Sequence, residues 1–350
     1  MRDGSPPMTE VTGLRTVEMM KKYDIAVCGA TGVVGRKMMQ VLEERNIPVG
    51  EFYPMASSRS AGSKVTFMGK EYTVEELTEH SFDKHIDFAL FSAGGGTSLK
   101  FSPIAAEHGT CVIDNSSAFR MDENVPLVVP EVNPEDAFKH HNIIANPNCS
   151  TIQAVVALKP IYDRYGIERI VYSTYQAVSG AGLAGISDLD NGLKGEAPKK
   201  FARQIAFNCV PEIDVFTDNG YTKEELKMVN ETRKIMGDSS LRITATTVRV
   251  PVYTCHSESI NVETKKPFDM KDVFELYQNC DYLTLEDSME APGYPTALEH
   301  ADTDGVYVGR LRRDFSVENG INMWVVADNL RKGAATNAVQ ILELLISRDR

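Results

Sequence analysis

The sequence lacks any long apolar stretch. No run approaches the roughly 18 residues of a membrane-spanning helix, and the N-terminus has no apolar core of the kind found in signal peptides. Basic residues are in deficit, with 37 Lys and Arg against 49 Asp and Glu and a net charge of −12. A surface of that charge repels nucleic-acid phosphates and anionic lipids. We therefore expect a cytoplasmic protein that binds neither nucleic acid nor membranes.

The cysteines lack the paired spacing of a disulfide framework or a zinc cluster. None of them forms a C-x-x-C pair; they are Cys28, Cys111, Cys149, Cys209, Cys255 and Cys280. We therefore expect no metal site, and we expect most of these thiols to be buried in a core.

The first half of the chain alternates short apolar segments with helical patterns. The 350 residues suggest two domains at about 150 residues each, and residues 1–22 are interpreted as an extension because they show no clear period. Strands are predicted at 24–28, 51–55, 88–92, 110–114 and 143–146, and helices at 36–45 and 98–108. This alternation is typical of βαβ units. Residues 23–148 are therefore predicted to form a Rossmann-type, doubly wound domain of the α/β class.

The pattern changes after residue 148. A helix predicted at 151–162 precedes a β-rich run at 167–178, and further strands are predicted at 242–251, 257–264, 306–311 and 322–327. Their alternation favours a mixed or antiparallel sheet with helices on one face, which gives an α+β domain over 149–328. A last helix at 333–346 has an apolar stripe, so residues 329–350 are expected to return to the first domain. No repeat or low-complexity linker separates the two domains, so we expect them to be closely packed.

Two glycine-rich segments follow predicted strands of the first domain. The segment Gly29-Ala-Thr-Gly32-Val-Val-Gly35 opens a helix, where small residues let a pyrophosphate approach the N–H groups of the helix N-terminus. The segment Ser92-Ala-Gly94-Gly-Gly-Thr97 follows another strand end, and open α/β sheets bind ligands at that edge. Together they predict one dinucleotide crevice. The alternative for the first segment is a simple tight turn.

The end of the second strand favours NADP over NAD. An acidic residue there would accept the ribose hydroxyls of NAD, whereas an arginine would bind the extra phosphate of NADP. The sequence at that point is Ser57-Ser58-Arg59-Ser60, and Glu51 lies at the wrong end of the strand. The alternative is a solvated loop with a surface arginine.

One cysteine has a candidate catalytic position. Cys149 lies between a predicted strand end and a helix start, where the helix dipole and free N–H groups lower a thiol pKa. A nucleophile also needs a base, for which His256 is the candidate, with a structural histidine as the alternative. The sequence alone leaves that pairing open.

From about residue 23 to its C-terminus, the chain resembles the aspartate-β-semialdehyde dehydrogenase family. Isolated positions of the resemblance are Gln176, Arg249 and His256. Besides the first glycine segment, its motifs are Asn115-Ser-Ser-Ala-Phe-Arg120, Asn146-Pro-Asn-Cys149-Ser-Thr, Ser179-Gly-Ala-Gly182, Glu224-Glu-Leu-Lys227 and Asp328-Asn-Leu-Arg-Lys-Gly333. So many separate motifs in one order make chance an implausible explanation.

The resemblance implies a reaction and a catalytic set. The reaction is the reversible, NADPH-dependent reductive dephosphorylation of aspartyl 4-phosphate to aspartate 4-semialdehyde and phosphate, a step in lysine, threonine and methionine biosynthesis. Cys149 resembles the acylated nucleophile, His256 the acid/base and Gln176 the residue that orients the thioester. The resemblance also implies a homodimer or a dimer of dimers.

The resemblance further implies how ligands bind. Arg249 resembles the residue that binds the substrate α-carboxylate, Glu224 the acid that pairs with its α-amino group, and Arg120 with Lys227 the phosphate site. Asn148 joins this substrate set. The Thr222-to-Glu225 spacing predicts a capping box that starts the helix carrying Glu224 and Lys227. The implied cofactor positions are Gly29, Thr31, Gly32, Val33, Val34, Ser57, Ser58, Arg59, Ser60, Ser92, Ala93, Gly94, Gly95, Ser179, Gly180 and Asn329.

Two other kinds of protein share part of this pattern. An N-acetyl-glutamyl-phosphate reductase or a glyceraldehyde-phosphate dehydrogenase would share the thioester logic. The first would typically carry glycine and tyrosine beside the cysteine, where this chain has Asn148 and Ser150, and it would have no use for Glu224. The other kind is a catalytically silent NADP-binding scaffold, or a redox sensor that uses Cys149 as a switch. The intact set of Cys149, Gln176, Arg249 and His256 argues against it.

Overall fold

The computed structural model describes residues 21–290 and 292–348, so residues 1–20 of the predicted extension lie outside the described part. The strands in that part are β1 (Tyr23–Cys28), β2 (Val49–Ala56), β3 (Lys64–Phe67), β4 (Lys70–Thr73), β5 (Glu75–Glu76), β6 (Phe88–Phe91), β7 (Cys111–Asp114), β8 (Ile143–Ala145), β9 (Ile167–Gln176), β10 (Arg242–Arg249), β11 (His256–Thr264), β12 (Thr284–Leu285), β13 (Val306–Asp314) and β14 (Gly320–Ala327). The α-helices are α1 (Val33–Glu44), α2 (Gly95–Glu107), α3 (Cys149–Tyr165), α4 (Gly182–Leu193), α5 (Lys223–Met236), α6 (Met270–Gln278) and α7 (Thr336–Arg348).

The first sheet has the order β5-β2-β1-β6-β7-β8 with every pair parallel, which confirms the predicted Rossmann-type class. Apolar side chains of β1 alternate between two cores. Ile25 and Val27 pack with α1 and α7 on one face, whereas Ala26 packs with residues of α2 on the other. Because both faces are covered, the ligand-binding edge is the one at the carboxyl ends of the strands.

The second sheet has the order β10-β9-β11-β14-β13-β12 and is mixed, as the sequence predicts. Its core lies under α3 and α5, where Val155 and Met228 pack with Tyr172 and Ile260 of the strands. In the register of this sheet, Arg249 of β10 lies opposite Gln176 of β9. The same sheet edge therefore carries several of the predicted site residues.

Several predicted boundaries differ from the structure for local reasons. The strand predicted at 167–178 ends at Gln176 because Val178–Ala181 forms a 3₁₀ turn. The helix predicted at 36–45 begins at Val33, directly after its N-cap Gly32. The last helix begins with a π-helical turn, Arg331–Ala335, before α7. Helices α4 and α6 and the β3–β4 hairpin were not predicted.

The thiols are less uniformly buried than expected. All six are free; Cys28, Cys111 and Cys255 are buried, Cys149 and Cys280 are half-buried and Cys209 is exposed. Among the described helices, none has the length and apolar character needed to cross a membrane.

Candidate active site

Cys149 is the first residue of α3 and is held there by local capping. The side chain of Asn148 accepts hydrogen bonds from the N–H groups of Ser150 and Thr151 at 3.0 and 3.3 Å. The π-helical turn contacts the cysteine from the other side, because a Cβ placed on Gly333 would lie 2.9 Å from Cys149 Cβ. Only glycine fits this approach, so the helix start and the turn together fix the position of the thiol.

His256 lies beside that thiol. Its Nε2 is 3.1 Å from Cys149 Sγ, so the structure brings together the pair that the sequence left open. The backbone N–H of Ala177 donates to His256 Nδ1 at 3.0 Å. Because Nδ1 is an acceptor, the hydrogen of the neutral ring resides on Nε2, where it points at the sulfur. Neutral His256 is thus a hydrogen-bond donor to the thiol sulfur.

The electrostatics of the pair differ from the sequence prediction. Burial raises the pKa of the Cys149 thiol to about 12, with the negative charge of Glu224 adding to the rise and the charges of Arg249 and Arg120 opposing it. The predicted lowering of this pKa by the helix N-terminus is therefore wrong, since desolvation outweighs it. Burial, reinforced by Arg249, lowers the pKa of His256 to about 3. Both partners are neutral near pH 7.

Glu224 is a buried carboxylate surrounded by donors. Its Oε1 accepts from Asn148 Nδ2 at 2.9 Å and from Gln176 Nε2 at 3.0 Å, and its Oε2 accepts from Lys227 Nζ at 3.0 Å. Burial raises its pKa, but the Lys227 charge and these hydrogen bonds outweigh that effect and lower it to about 2. Glu224 is therefore ionised at every physiological pH.

The start of α5 places Glu224 in the site. The capping box at Thr222 is present, with its side chain accepting from Glu225 N and the Glu225 side chain accepting from Thr222 N. Residues three apart on a helix lie on one face, which brings Lys227 alongside Glu224. The structure thus confirms the predicted capping box.

Arg249 is buried beside the histidine. Its Nη1 donates to the Ala177 carbonyl at 2.7 Å, and a Cβ on Gly180 would lie 3.0 Å from that nitrogen. This is the only side-chain hydrogen bond of Arg249 among the described residues, which leaves most of its five donors available. The backbone of Ala177 therefore contacts both side chains, His256 through its N–H and Arg249 through its carbonyl oxygen.

Sequence reasoning missed Glu231. Its Oε1 pairs with Arg120 Nη1 at 3.1 Å and its Oε2 accepts from the backbone N–H of Asn148 at 2.6 Å. Arg120 also donates to the carbonyls of Asn146 and Asn115, both at 2.9 Å. Glu231 follows Glu224 by seven residues, two helical turns, so helical spacing was the signal that places both acids on one face of α5.

A cavity of about 1030 Å³ is lined by residues from both predicted domains. The predicted site residues that line it are Gly32, Val33, Val34, Ser92, Gly94, Arg120, Asn148, Cys149, Gln176, Ser179, Gly180, Glu224, Lys227, Arg249 and Asn329. The predicted site residues off its wall are Gly29, Thr31, Ser57, Ser58, Arg59, Ser60, Ala93, Gly95 and His256. His256 reaches the cavity through its contact with Cys149.

The glycine segments fit a dinucleotide pyrophosphate. Gly29 has a φ of +94°, and a Cβ there would lie 2.5 Å from the Ser92 carbonyl oxygen, so the turn requires glycine. A Cβ on Gly35 would lie 2.1 Å from Gly29 O, which explains the glycine where α1 meets the strand. The N-cap Gly32 offers no side-chain cap, so the first N–H groups of α1 keep their donor capacity toward the cavity it lines.

The end of β2 lies beside the first glycine segment and leads into the segment that carries Arg59. The N–H groups of Gly29 and Ala30 donate to Met55 O at 2.7 and 3.1 Å, and Ser60 N donates to Ser57 O in the turn that follows. Arg59 is exposed there and makes no side-chain hydrogen bond or ion pair with the described residues. Glu51 is at the opposite end of β2, as the sequence indicates.

Asn329 connects the turn after β9 to the residue that precedes His256. Its Oδ1 accepts from the backbone N–H of Cys255 at 3.0 Å, and its Nδ2 donates to Ser179 Oγ at 3.0 Å. Cys255 has a φ of +69° and its thiol is buried. Burial raises the pKa of that thiol. The position of Cys255 next to His256 therefore gives a thiol that is neither exposed nor acidic.

Known proteins with the same sequence pattern identify the family. The NAD binding domain of semialdehyde dehydrogenase matches residues 24–140, and the semialdehyde dehydrogenase dimerisation domain matches residues 158–332. Aspartate-semialdehyde dehydrogenase of Aquifex aeolicus is 57% identical over 93% of this chain and 98% of its own length. The chain belongs to the aspartate-semialdehyde dehydrogenase family.

Solved structures of this family agree in fold. Aspartate semialdehyde dehydrogenase II of Vibrio cholerae, complexed with ASA, has a TM-score of 0.90 at 51% identity, covering 93% of this chain and 99% of that chain. The Candida albicans family member with NADP has a TM-score of 0.75 at 25% identity, covering 94% and 99%.

Proposed function

We propose that this chain catalyses the reversible conversion of aspartyl 4-phosphate to aspartate 4-semialdehyde and phosphate with NADPH. The observation that carries the proposal is the 3.1 Å contact between Cys149 Sγ and His256 Nε2 at a cavity that also exposes Arg249 and Glu224. A thiol able to be acylated and charges of opposite sign suit an amino-acid substrate with a reactive side-chain carbonyl.

The substrate is oriented by two buried charges. Arg249 donates two parallel hydrogen bonds to the α-carboxylate, for which its planar guanidinium is suited. Glu224, ionised and buried, pairs with the α-ammonium group. Asn148 and Gln176 hold the Glu224 carboxylate, and Gln176 orients the thioester. Binding of the carboxylate neutralises Arg249, which removes its lowering effect on the pKa of His256.

In the first step, Cys149 sulfur attacks the acyl carbon and the carbon–oxygen bond to phosphate breaks. The thiol proton ends on the departing phosphate, so charge and atoms balance without another reactant. Arg120 retains a free hydrogen on each Nη nitrogen, and Lys227 retains one of its three, so both cations stabilise the leaving group.

Bound NADPH would supply the hydride that reduces the thioester. Cys149 then becomes the leaving group, and the His256 Nε2–H stabilises the negative charge that returns to sulfur. One proton from solvent, passed on at His256 Nε2, reaches the thiolate and restores the resting pair. His256 therefore acts as the acid/base of the cycle.

We further propose NADP as the preferred cofactor. The residues that would hold its pyrophosphate are the first glycine segment and the N–H groups at the start of α1, with Ser92, Ala93, Gly94 and Gly95 where β6 leads into α2. Arg59 and the serines around it supply hydrogen-bond donors at the end of β2, where the 2′-phosphate of NADP is bound in such domains. Ser179 and Asn329 line the inner part of the same cavity.

The proposal extends to organisation. The domain boundaries are 23–148 with 329–350 for cofactor binding and 149–328 for catalysis and dimerisation; α7 packs in the same core as β1 and α1, in support of the first. The matched dimerisation domain supports a homodimer, and a dimer of dimers is the further possibility to test by light scattering. The cytoplasmic location stays a prediction.

The decisive experiment is phosphate-dependent oxidation of aspartate semialdehyde with NADP, followed by NADPH absorbance. N-acetylglutamate semialdehyde serves as the comparison substrate. We expect turnover of the first that requires phosphate, and little turnover of the second because its blocked amino group cannot pair with Glu224. Equal activity on both would favour the N-acetyl-glutamyl-phosphate reductase alternative, and no activity on either would favour a scaffold or redox switch.

A further inference from the structure

Asp214 faces the proposed phosphate site without a role in the reaction described above. Its Oδ2 lies 2.9 Å from Lys227 Nζ, and both residues line the cavity. Lys227 is thus held by two carboxylates, since Glu224 Oε2 lies 3.0 Å from the same nitrogen. One positive charge faces two negative charges, an unfavourable setting for an incoming phosphate.

The backbone of Asp214 is fixed in an uncommon conformation. Its φ is +67°, a left-handed value that costs free energy for residues with a Cβ and is best tolerated by Asn, Asp and Gly. Its Oδ1 accepts from the N–H of Val215 at 2.9 Å, which orients the carboxylate. The left-handed backbone and the contact with Val215 together orient the carboxylate toward Lys227.

The loop that carries Asp214 is anchored at both sides. Val210 exchanges two backbone hydrogen bonds with Arg249, at 2.9 and 2.8 Å, and the Lys223 N–H donates to Val215 O at 2.9 Å. The loop is therefore tied to the strand of the substrate arginine and to the start of α5. These contacts hold the backbone of Asp214 beside Lys227.

We propose that Asp214 sets the affinity of the site for phosphate by competing with it for Lys227. This inference rests on the proposed phosphate role of Lys227. A phosphate oxygen bound to Lys227 Nζ would lie within about 6 Å of Asp214 Oδ2, because both oxygens would be bonded to one nitrogen. The repulsion at that distance weakens phosphate binding, which favours release of phosphate in the biosynthetic direction.

The test is the Asp214→Asn variant, which removes the charge and keeps a residue type that tolerates the left-handed backbone. In phosphate-dependent oxidation of aspartate semialdehyde, we expect the KM for inorganic phosphate to fall about three- to tenfold. The kcat and the KM for the semialdehyde should change less than about twofold, because Lys227 keeps its contact with Glu224.

Two further variants make the outcomes distinguishable. Asp218→Asn removes the same charge from an exposed residue off the cavity wall, so its phosphate KM should match that of the wild type. Lys227→Ala should raise the phosphate KM. An unchanged or raised KM in Asp214→Asn, with a raised KM in Lys227→Ala, overturns the competition and leaves the proposed function intact. An unchanged KM in Lys227→Ala refutes its phosphate role, and the inference falls with it.

Discussion

Replacement of Arg249 is the most direct test of the substrate clamp, the pair of hydrogen bonds from Arg249 to the substrate α-carboxylate. Arg249 is 6% exposed, and in the described structure its guanidinium makes one side-chain hydrogen bond, to Ala177 O. Its other donors are available to the substrate carboxylate. Removal of one member of a buried, hydrogen-bonded charge pair costs about 2–5 kcal/mol. Arg249→Leu should therefore lower kcat/KM for aspartate semialdehyde by about 30- to 5,000-fold.

Arg249→Lys separates charge from geometry. An ammonium keeps the positive charge but cannot donate two parallel hydrogen bonds to one carboxylate. The loss of one charge-assisted hydrogen bond, about 1.5–3 kcal/mol, predicts about a 10- to 150-fold lower kcat/KM. Kinetic constants should be measured beside unfolding curves, so that a folding defect is recognised as such.

Two controls complete the experiment. Arg242 begins the same strand, is exposed and pairs with Glu168 at 3.2 Å, so Arg242→Leu should keep nearly full activity. An aldehyde without the α-carboxylate should be a poor substrate of the wild type and should lose no further activity in Arg249→Leu. Equal losses on both aldehydes would refute the clamp and indicate that Arg249 acts through Ala177 on His256. Wild-type kcat/KM in Arg249→Lys would refute it as well.

Four other changes have defined outcomes. Cys149→Ala should abolish turnover and leave NADPH binding intact, and residual turnover in this variant contradicts the thioester mechanism. His256→Ala should still turn over, at a rate about 10²- to 10⁴-fold lower and with one limb of the pH profile flattened. Arg59→Ala should raise the KM for NADP far more than that for NAD. An equal rise for the two cofactors excludes Arg59 from the site of the NADP 2′-phosphate. Glu258 is buried, neither carboxylate oxygen has a partner among the described residues, and burial raises its pKa. Because the pKa of Glu258 is higher in the folded than in the unfolded protein, the free energy of unfolding falls as pH rises above the unfolded pKa. Glu258→Gln should make this fall less steep by up to about 1.4 kcal/mol per pH unit, measured by urea unfolding between pH 5 and 8. An unchanged pH dependence in the variant contradicts the prediction.

The sequence determined the parts of this site that depend on neighbouring residues. The turn at Gly29 needs a left-handed φ, and the position of Cys149 follows from a strand end and an N-cap within a few residues. The pair Glu224 and Lys227 follows from helical periodicity after the capping box. Each of these features is encoded locally, because turns, caps and helix faces are fixed by chemistry within one or two helical turns.

The tertiary structure alone decided which distant groups meet and how burial changes them. Cys149 and His256 are 107 residues apart, and only the packing of α3 on the mixed sheet brings their side chains to 3.1 Å. The same packing places Glu231 on the N–H of Asn148 and Asp214 on Lys227. It also reverses the expected shift of the Cys149 pKa, because the thiol is desolvated more strongly than the helix N-terminus and nearby cations compensate. Desolvation depends on every atom around a group, which no local spacing specifies.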